Sequence, residues 1–98
     1  MPSALEGIRV LDDTHVLSGP ISGKFLAELG ADVIKLEPTA GNMSRRSTLY
    51  KGESYYVMHT DCQKRFITLN LRHPKGKELF MELIKKSDIF LENYAPGS

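Results

Sequence analysis

"IRVLDDTHVLSGPISGKFLAELGADVIKLE", residues 8–37, is the stretch that decides the fold. Its first part, "IRVLDD", is a short run of branched apolar residues ending in two acids. That pattern reads as a buried strand whose carboxyl end opens to solvent. Beyond the turn at Ser18 and Gly19, Pro20 suits the first turn of a helix, where its missing N–H costs nothing. Ile21, Phe25 and Leu29 then recur at a spacing of four, with Leu26 widening the stripe, so this face is expected to be core. Lys24 and Glu28 fall on the other side. Gly30 suits the left-handed position that ends a helix, and "DVIKLE" is the next strand, stopped by Pro38. Strand, helix and strand in one stretch make a βαβ unit, which implies parallel strands and a right-handed crossover.

Gly23-Lys24 at a helix start invites the reading of a phosphate-binding loop. A Walker loop needs a glycine at position 18 and a hydroxyl after the lysine; the chain has Ser18 and Phe25. The dinucleotide fingerprint fails as well, because Gly19 and Gly23 are four apart. What remains is the generic affinity of a helix N-terminus for anions.

From Pro38 to Arg65 the chain is polar, and a connection this long inside a compact domain is usually functional or disordered. "SYYVM" within it fits a helical turn or a short strand equally well. "FITLNL", residues 66–71, alternates cleanly and puts Ile67, Leu69 and Leu71 on one face. Pro74 opens a second helix with Leu79, Phe80, Leu83 and Ile84 as its buried stripe. Lys85 and Lys86 suit the negative end of its dipole. "DIFLEN", residues 88–93, is a last buried strand, followed by the loop "YAPGS". The order β-α-β, long loop, β-α-β predicts an α/β fold: a Rossmann-like parallel sheet with flanking helices, one segment over residues 1–98 with the polar loop 38–65 inside it.

Ninety-eight residues, a net charge of +1, 41% hydrophobic and 26% charged residues describe an ordinary single domain. The charge is far from that of a nucleic-acid binder. No apolar run nears the length of a membrane span, and no basic-then-apolar leader opens the chain. Cys62 is the single cysteine, so neither an internal disulfide nor a metal-type cysteine pair exists, and a reduced, cytoplasmic setting is expected. In open parallel sheets ligands sit beyond the carboxyl ends of the strands. That rule selects residues 12–19, 37 onward, 71–73 and 92–97.

"LEGIRVLDDTHVLSGP", "LGADVIKLEP", "QKRFITLNLRHPKGKELF" and "SDIFLENYAPG", in this order and spacing, resemble the N-terminal part of the class III CoA-transferases. This is the family of formyl-CoA transferase, carnitine CoA-transferase and their racemase relatives, and the resemblance runs from about Leu5 to Gly97. It implies a Rossmann-like first domain of a longer chain, and an interlocked homodimer that moves CoA between carboxylic acids. It also implies catalysis by an aspartate carboxylate acting as nucleophile. That aspartate lies downstream of the position of Pro96-Gly97, so no catalytic residue is assigned here; Asp12, Asp13, Asp61 and Glu92 do not take its place. No metal is implied.

The resemblance also implies part of a coenzyme A site. Val16 and Leu17 approach the cofactor after the first strand. Leu69, Asn70, Leu71 and Arg72 hold the nucleotide end, and Asn93, Tyr94 and Ala95 line the same pocket. A guanidinium can pair a phosphate bidentately, and an aromatic ring can cover an adenine. Asn93, Tyr94 and Ala95 match the family's Asn-Phe-x before Pro-Gly, whereas the chain departs from the family pattern at Asp13, usually apolar, at Ser18, usually alanine, and at Phe66, usually a small residue. Arg72 stands where lysine is usual, and Asp61 and Gln63 replace asparagines. Arg45, Arg46, His15 and Cys62 are read as ordinary loop or turn residues. Two other readings stay open: a stand-alone module for CoA or another adenine nucleotide, and a protein-interaction remnant with an exposed apolar surface.

Overall fold

In the computed structural model, residues 3–15, 18–38, 49–50, 53–54 and 63–95 are described. Val16, Leu17, Arg45, Arg46, Cys62 and residues 55–58 of "SYYVM" lie outside them. The elements run β1 (Arg9–Asp13), α1 (Ser18–Glu28), β2 (Asp32–Glu37), β3 (Leu49–Tyr50), β4 (Glu53–Ser54), β5 (Arg65–Thr68), α2 (Pro74–Lys85) and β6 (Ile89–Glu92). β3 and β4 are a two-residue antiparallel pair inside the polar connection.

β5, β2, β1 and β6 form one sheet in that order, and every pairing is parallel. The chain first builds outward from β1 to β2 and β5, then returns across the sheet to lay β6 on the other side of β1. Between β1 and β6 the direction of winding therefore reverses, and this is the topological switch point where such sheets bind ligands.

Alternation along β1 and β2 sends neighbouring side chains to opposite faces. On one face Val10, Ala31 and Val33 are buried, with Leu26 and Ala27 of α1 and Ile89 and Leu91 of β6 packed on them. On the other, Leu11, Leu36 and Leu69 meet Phe80, Leu83 and Ile84 of α2. Ile67, Leu69 and Leu71 all reach this second cluster, as their alternation predicts. α2 starts as its sequence directs: Pro74 fills the first position and His73 caps it, its Nδ1 accepting the Lys75 N–H at 3.0 Å. Gly30, at φ 105°, ends the region of α1.

Three expectations are corrected. Phe25 is 57% exposed, and Leu29 is exposed as well; α1 turns Pro20 and Gly23 to the sheet instead, with Leu26 only partly covered. Under its first turns the sheet carries buried charges that small residues such as Gly23 approach closely, while Leu26 and Ala27 take the apolar cluster farther along, so the face carrying Phe25 and Leu29 is turned to solvent. Leu79 is likewise exposed, on the outer side of α2. β6 lies at the edge of the described sheet with Phe90 exposed, so it is half covered rather than fully buried.

Candidate functional site

The carboxyl ends of the strands carry two polar clusters, on opposite faces of β1. Beneath α1 lies a closed set of charges. Asp12 is wholly buried, its Oδ2 2.7 Å from Lys64 Nζ and its Oδ1 3.8 Å from Lys35 Nζ. The Lys64 contact is a close ion pair without hydrogen-bond alignment. Lys64 donates to the Pro20 carbonyl at 2.9 Å, and Lys35 to the Thr14 carbonyl at 2.6 Å. The Thr14 hydroxyl donates in turn to Asp12. The carboxyl end of β1, expected to open to solvent, is thus sealed by α1. Buried charges persist only when paired and hydrogen-bonded, and here two ammonium groups share one carboxylate.

This cluster explains the glycines that mimic a phosphate loop. A Cβ at Gly23 would run into Asp12 Oδ2 and lie 3.0 Å from Lys64 Nζ; one at Gly19 would overlap the Thr14 side chain. Both glycines let α1 settle on the buried charges. They serve packing against Thr14, Asp12 and Lys64.

On the other face a cleft of about 510 Å³ opens, lined by Asp13, His15, Leu36, Glu37, Pro38, Leu69, Asn70, Leu71, Arg72 and Tyr94. Its walls come from the ends of β1, β2 and β5 and from the loop after β6. Leu36, Leu69, Leu71 and Pro38 make it largely apolar. Arg72 is the cation among its described lining residues, which also include the acids Asp13 and Glu37. An amphiphile with an anionic end near Arg72 fits this distribution.

The turn that presents Arg72 is built locally. Asn70 Oδ1 accepts the Arg72 N–H at 3.1 Å, and the Asn70 carbonyl accepts the His73 N–H at 3.1 Å. The first turn of α2 presses directly on this turn: a Cβ on Gly76 would collide with the Asn70 carbonyl oxygen and lie 2.7 Å from its carbon. Gly76 is the residue that sequence reasoning missed. Its signal was a glycine within the first turn of a helix otherwise free of breakers.

Across the switch point, the loops after β1 and β6 are stitched together. The His15 backbone N–H donates to Asn93 Oδ1 at 3.0 Å, while Asn93 Nδ2 donates to the His15 carbonyl at 2.7 Å. Tyr94 Oη lies 2.9 Å from Asp13 Oδ1 and 2.7 Å from His15 Nε2, and the two rings meet edge to face at 4.9 Å. Burial raises the Asp13 carboxyl above its ordinary range, against the opposing pull of the Tyr94 hydroxyl and of His15 and Lys35. The Tyr94 hydroxyl is itself pushed well up, first by burial and then by the bond and charge of Asp13.

Of the residues expected to hold a cofactor, Leu69, Asn70, Leu71, Arg72 and Tyr94 are brought together in the cleft. Asn93 sits beside it with its amide engaged by His15, and Ala95 follows Tyr94 outside the lining. Asp13, His15, Leu36, Glu37 and Pro38 complete the walls without having been named as ligand contacts.

Comparison with known proteins adds to this geometry. Residues 5–98 match the description CoA-transferase family III. The chain is 50% identical over 100 aligned positions to the formyl-CoA:oxalate CoA-transferase of Streptomyces avermitilis, covering 100% of this chain and 24% of that protein. It is 48% identical to the enzyme of the same name from Bradyrhizobium sp., covering 99% and 24%. The chain thus spans about a quarter of the length of these curated relatives. Among solved structures it superimposes on the Mycobacterium tuberculosis protein Rv3272 with a TM-score of 0.89 at 35% identity, covering 97% of this chain and 26% of that one. A CAIB/BAIF family protein from Brucella suis gives 0.86 at 32% identity, covering 96% and 26%.

Proposed function

The chain belongs to CoA-transferase family III, and from that premise we propose that residues 1–98 are the N-terminal coenzyme A-binding segment of an enzyme that moves CoA between carboxylic acids. The observation that carries the proposal is the cleft at the carboxyl ends of β1, β2 and β5. It joins the apolar walls of Leu36, Leu69 and Leu71 to the guanidinium of Arg72 and the ring of Tyr94. Coenzyme A combines an apolar-faced adenine with a 3′-phosphate and a diphosphate, and a guanidinium is well suited to a phosphate. In this reading residues 69–72 take the nucleotide end, Tyr94 and its neighbours Asn93 and Ala95 close the far side, and Val16 and Leu17 contribute backbone contacts.

The exchange of CoA between formyl-CoA and oxalate, named for the relatives, is the reaction we extend to the longer protein of which this segment is part. Its homodimeric state and cytoplasmic setting are proposed on the same ground. No carboxylate of this segment is given the nucleophile's role: Asp12 is sealed by two lysines, and Asp13 is occupied by Tyr94. The 98 residues alone are therefore expected to bind without turning over.

Calorimetric titration with CoA, dephospho-CoA and ATP tests the reading. CoA is expected to bind, and Arg72→Ala to weaken it by about tenfold, the worth of one charge-assisted hydrogen bond. No heat from any of the three ligands would overturn the proposal. Equal affinity for CoA and ATP would favour a general adenine-nucleotide module instead.

A further inference from the structure

The hydroxyl of Tyr94, on the loop after β6, is bonded to two titratable partners at once across the switch point, Asp13 at the end of β1 and His15 in the loop that follows it. An ionised carboxylate only accepts, so the Tyr94 O–H must point at Asp13. The tyrosine oxygen is then left as an acceptor, and His15 must present Nε2–H to it. Every proton in the array runs one way, from His15 through Tyr94 to Asp13. The ring of Tyr94 is a wall of the cleft, and this array fixes the side of the ring that faces β1.

We propose that Asp13, Tyr94 and His15 form a clasp across the switch point that positions the Tyr94 wall for the ligand, and that the ionised carboxylate of Asp13 holds the clasp shut. Asp13 and Tyr94 are positioning residues here. The proposal rests on the coenzyme A reading for its ligand, whereas the clasp itself is a property of the free chain.

Protonation weakens it. A neutral Asp13 keeps a carbonyl oxygen that can still accept from Tyr94, but the bond loses the charge assistance of the carboxylate, which makes such bonds roughly twice as strong as neutral ones. The surroundings set the balance. Asp12 from the same strand disfavours the charge on Asp13, whereas Lys35 from β2 and His15 favour it. Glu37 and Arg72 share the cleft, and Glu92 of β6 faces the tyrosine. Burial of Asp13 places its titration above that of an ordinary carboxyl. The pair of bonds between Asn93 and the His15 backbone involves no titratable atom and holds the loops together when the clasp weakens.

The test has a ligand-free arm and a ligand arm. In the first, the carboxyl carbon of Asp13 and the ring nitrogens of His15 are followed by NMR against pH in the wild-type chain, in Tyr94→Phe and in Asp13→Asn. In the wild type His15 is expected as the Nε2–H tautomer near neutrality. In Tyr94→Phe the Asp13 midpoint should rise, because the hydroxyl that stabilised the carboxylate is gone. An Asp13 midpoint and His15 signals unchanged in Tyr94→Phe would overturn the clasp. In the second arm, CoA affinity is measured over the same range. Tyr94→Phe should weaken it about tenfold at neutral pH, the equivalent of one hydrogen bond's positioning. Wild-type affinity should fall as Asp13 protonates, and that fall should vanish in Asp13→Asn, whose amide oxygen still accepts from Tyr94. A fall that persists in Asp13→Asn overturns the control by Asp13. If NMR shows the coupling but wild type binds no CoA, the clasp stands and the coenzyme A reading is the part that fails.

Discussion

The two ends of one sheet handle aspartate in opposite ways. At the carboxyl end Asp12 and Asp13 are buried, one between two lysines and the other under a tyrosine at the wall of the cleft. At the amino end Asp32 is half-exposed and bridges Arg9 and Arg65, with Nε of Arg9 at 3.3 Å and Nη2 of Arg65 at 2.5 Å. Asp88 joins this end by accepting the Arg9 backbone N–H at 2.9 Å. The Arg65 hydrogen bond is the leading cause that holds the Asp32 carboxyl below its usual range, whereas burial holds Asp13 above it. The amino end uses charge in water, where it is worth little. The carboxyl end buries charge, where loss of a partner is costly, and that is the end with the cleft.

The largest break in this comparison comes from Asp12→Asn. It keeps the shape but removes the carboxylate that Lys35 and Lys64 share, and removing one partner of a buried pair costs about 3–5 kcal/mol. Urea unfolding should show that loss, while the equivalent change at the amino end, Asp32→Asn, should cost under about 1 kcal/mol. Raising salt to about 1 M shortens the screening length to roughly 3 Å. It should erase the Asp32 effect and leave the Asp12 effect standing; equal losses at the two ends would refute the contrast.

Gly76→Ala comes next. Its methyl group must push back the Asn70 carbonyl, an overpacking expected to cost about 1–3 kcal/mol. Because the displaced turn carries Arg72, CoA titration of the folded variant should show weakened binding as well. Unchanged stability would mean that the close packing of α2 on this turn is unimportant.

The smallest effects, and the ones that sharpen the comparison, are in pH. Asp32, with its lowered value, contributes stability that is present above its unfolded value of about 3.9 and is lost as pH falls through its lower folded value. Asp13 has the opposite sign. Its folded form binds the proton more tightly, so ionisation costs stability at neutral pH, and the cost is relieved as pH falls through the raised folded value toward about 3.9. Asp13→Asn should therefore be neutral or slightly stabilising at pH 7 and lose the relief on mild acidification. Asp32→Asn should flatten only the more acid limb. Thermal melts across that range separate the two.

The family likeness and the α/β order were legible in the linear chain, because strands that alternate and helices opened by Pro20 and Pro74 leave local marks. So were Arg72 and Tyr94 as residues at strand ends. Asp13, where the chain departs from the family pattern, proved to be bonded to Tyr94, a pairing that a separation of 81 residues hides. The stripe through Phe25 misled for a related reason: periodicity tells which residues share a face, but not whether that face meets the sheet or solvent.

The order of residues thus determined the elements and their parallel winding, since hydrophobic period and turn chemistry act between near neighbours. Only the folded chain decided that Gly19 and Gly23 accommodate Asp12, Thr14 and Lys64, that Gly76 lets α2 press on the turn of Arg72, and that Tyr94 closes over Asp13. Those outcomes depend on close approach and loss of water between segments far apart along the chain, and no local pattern encodes the distance at which two such segments meet.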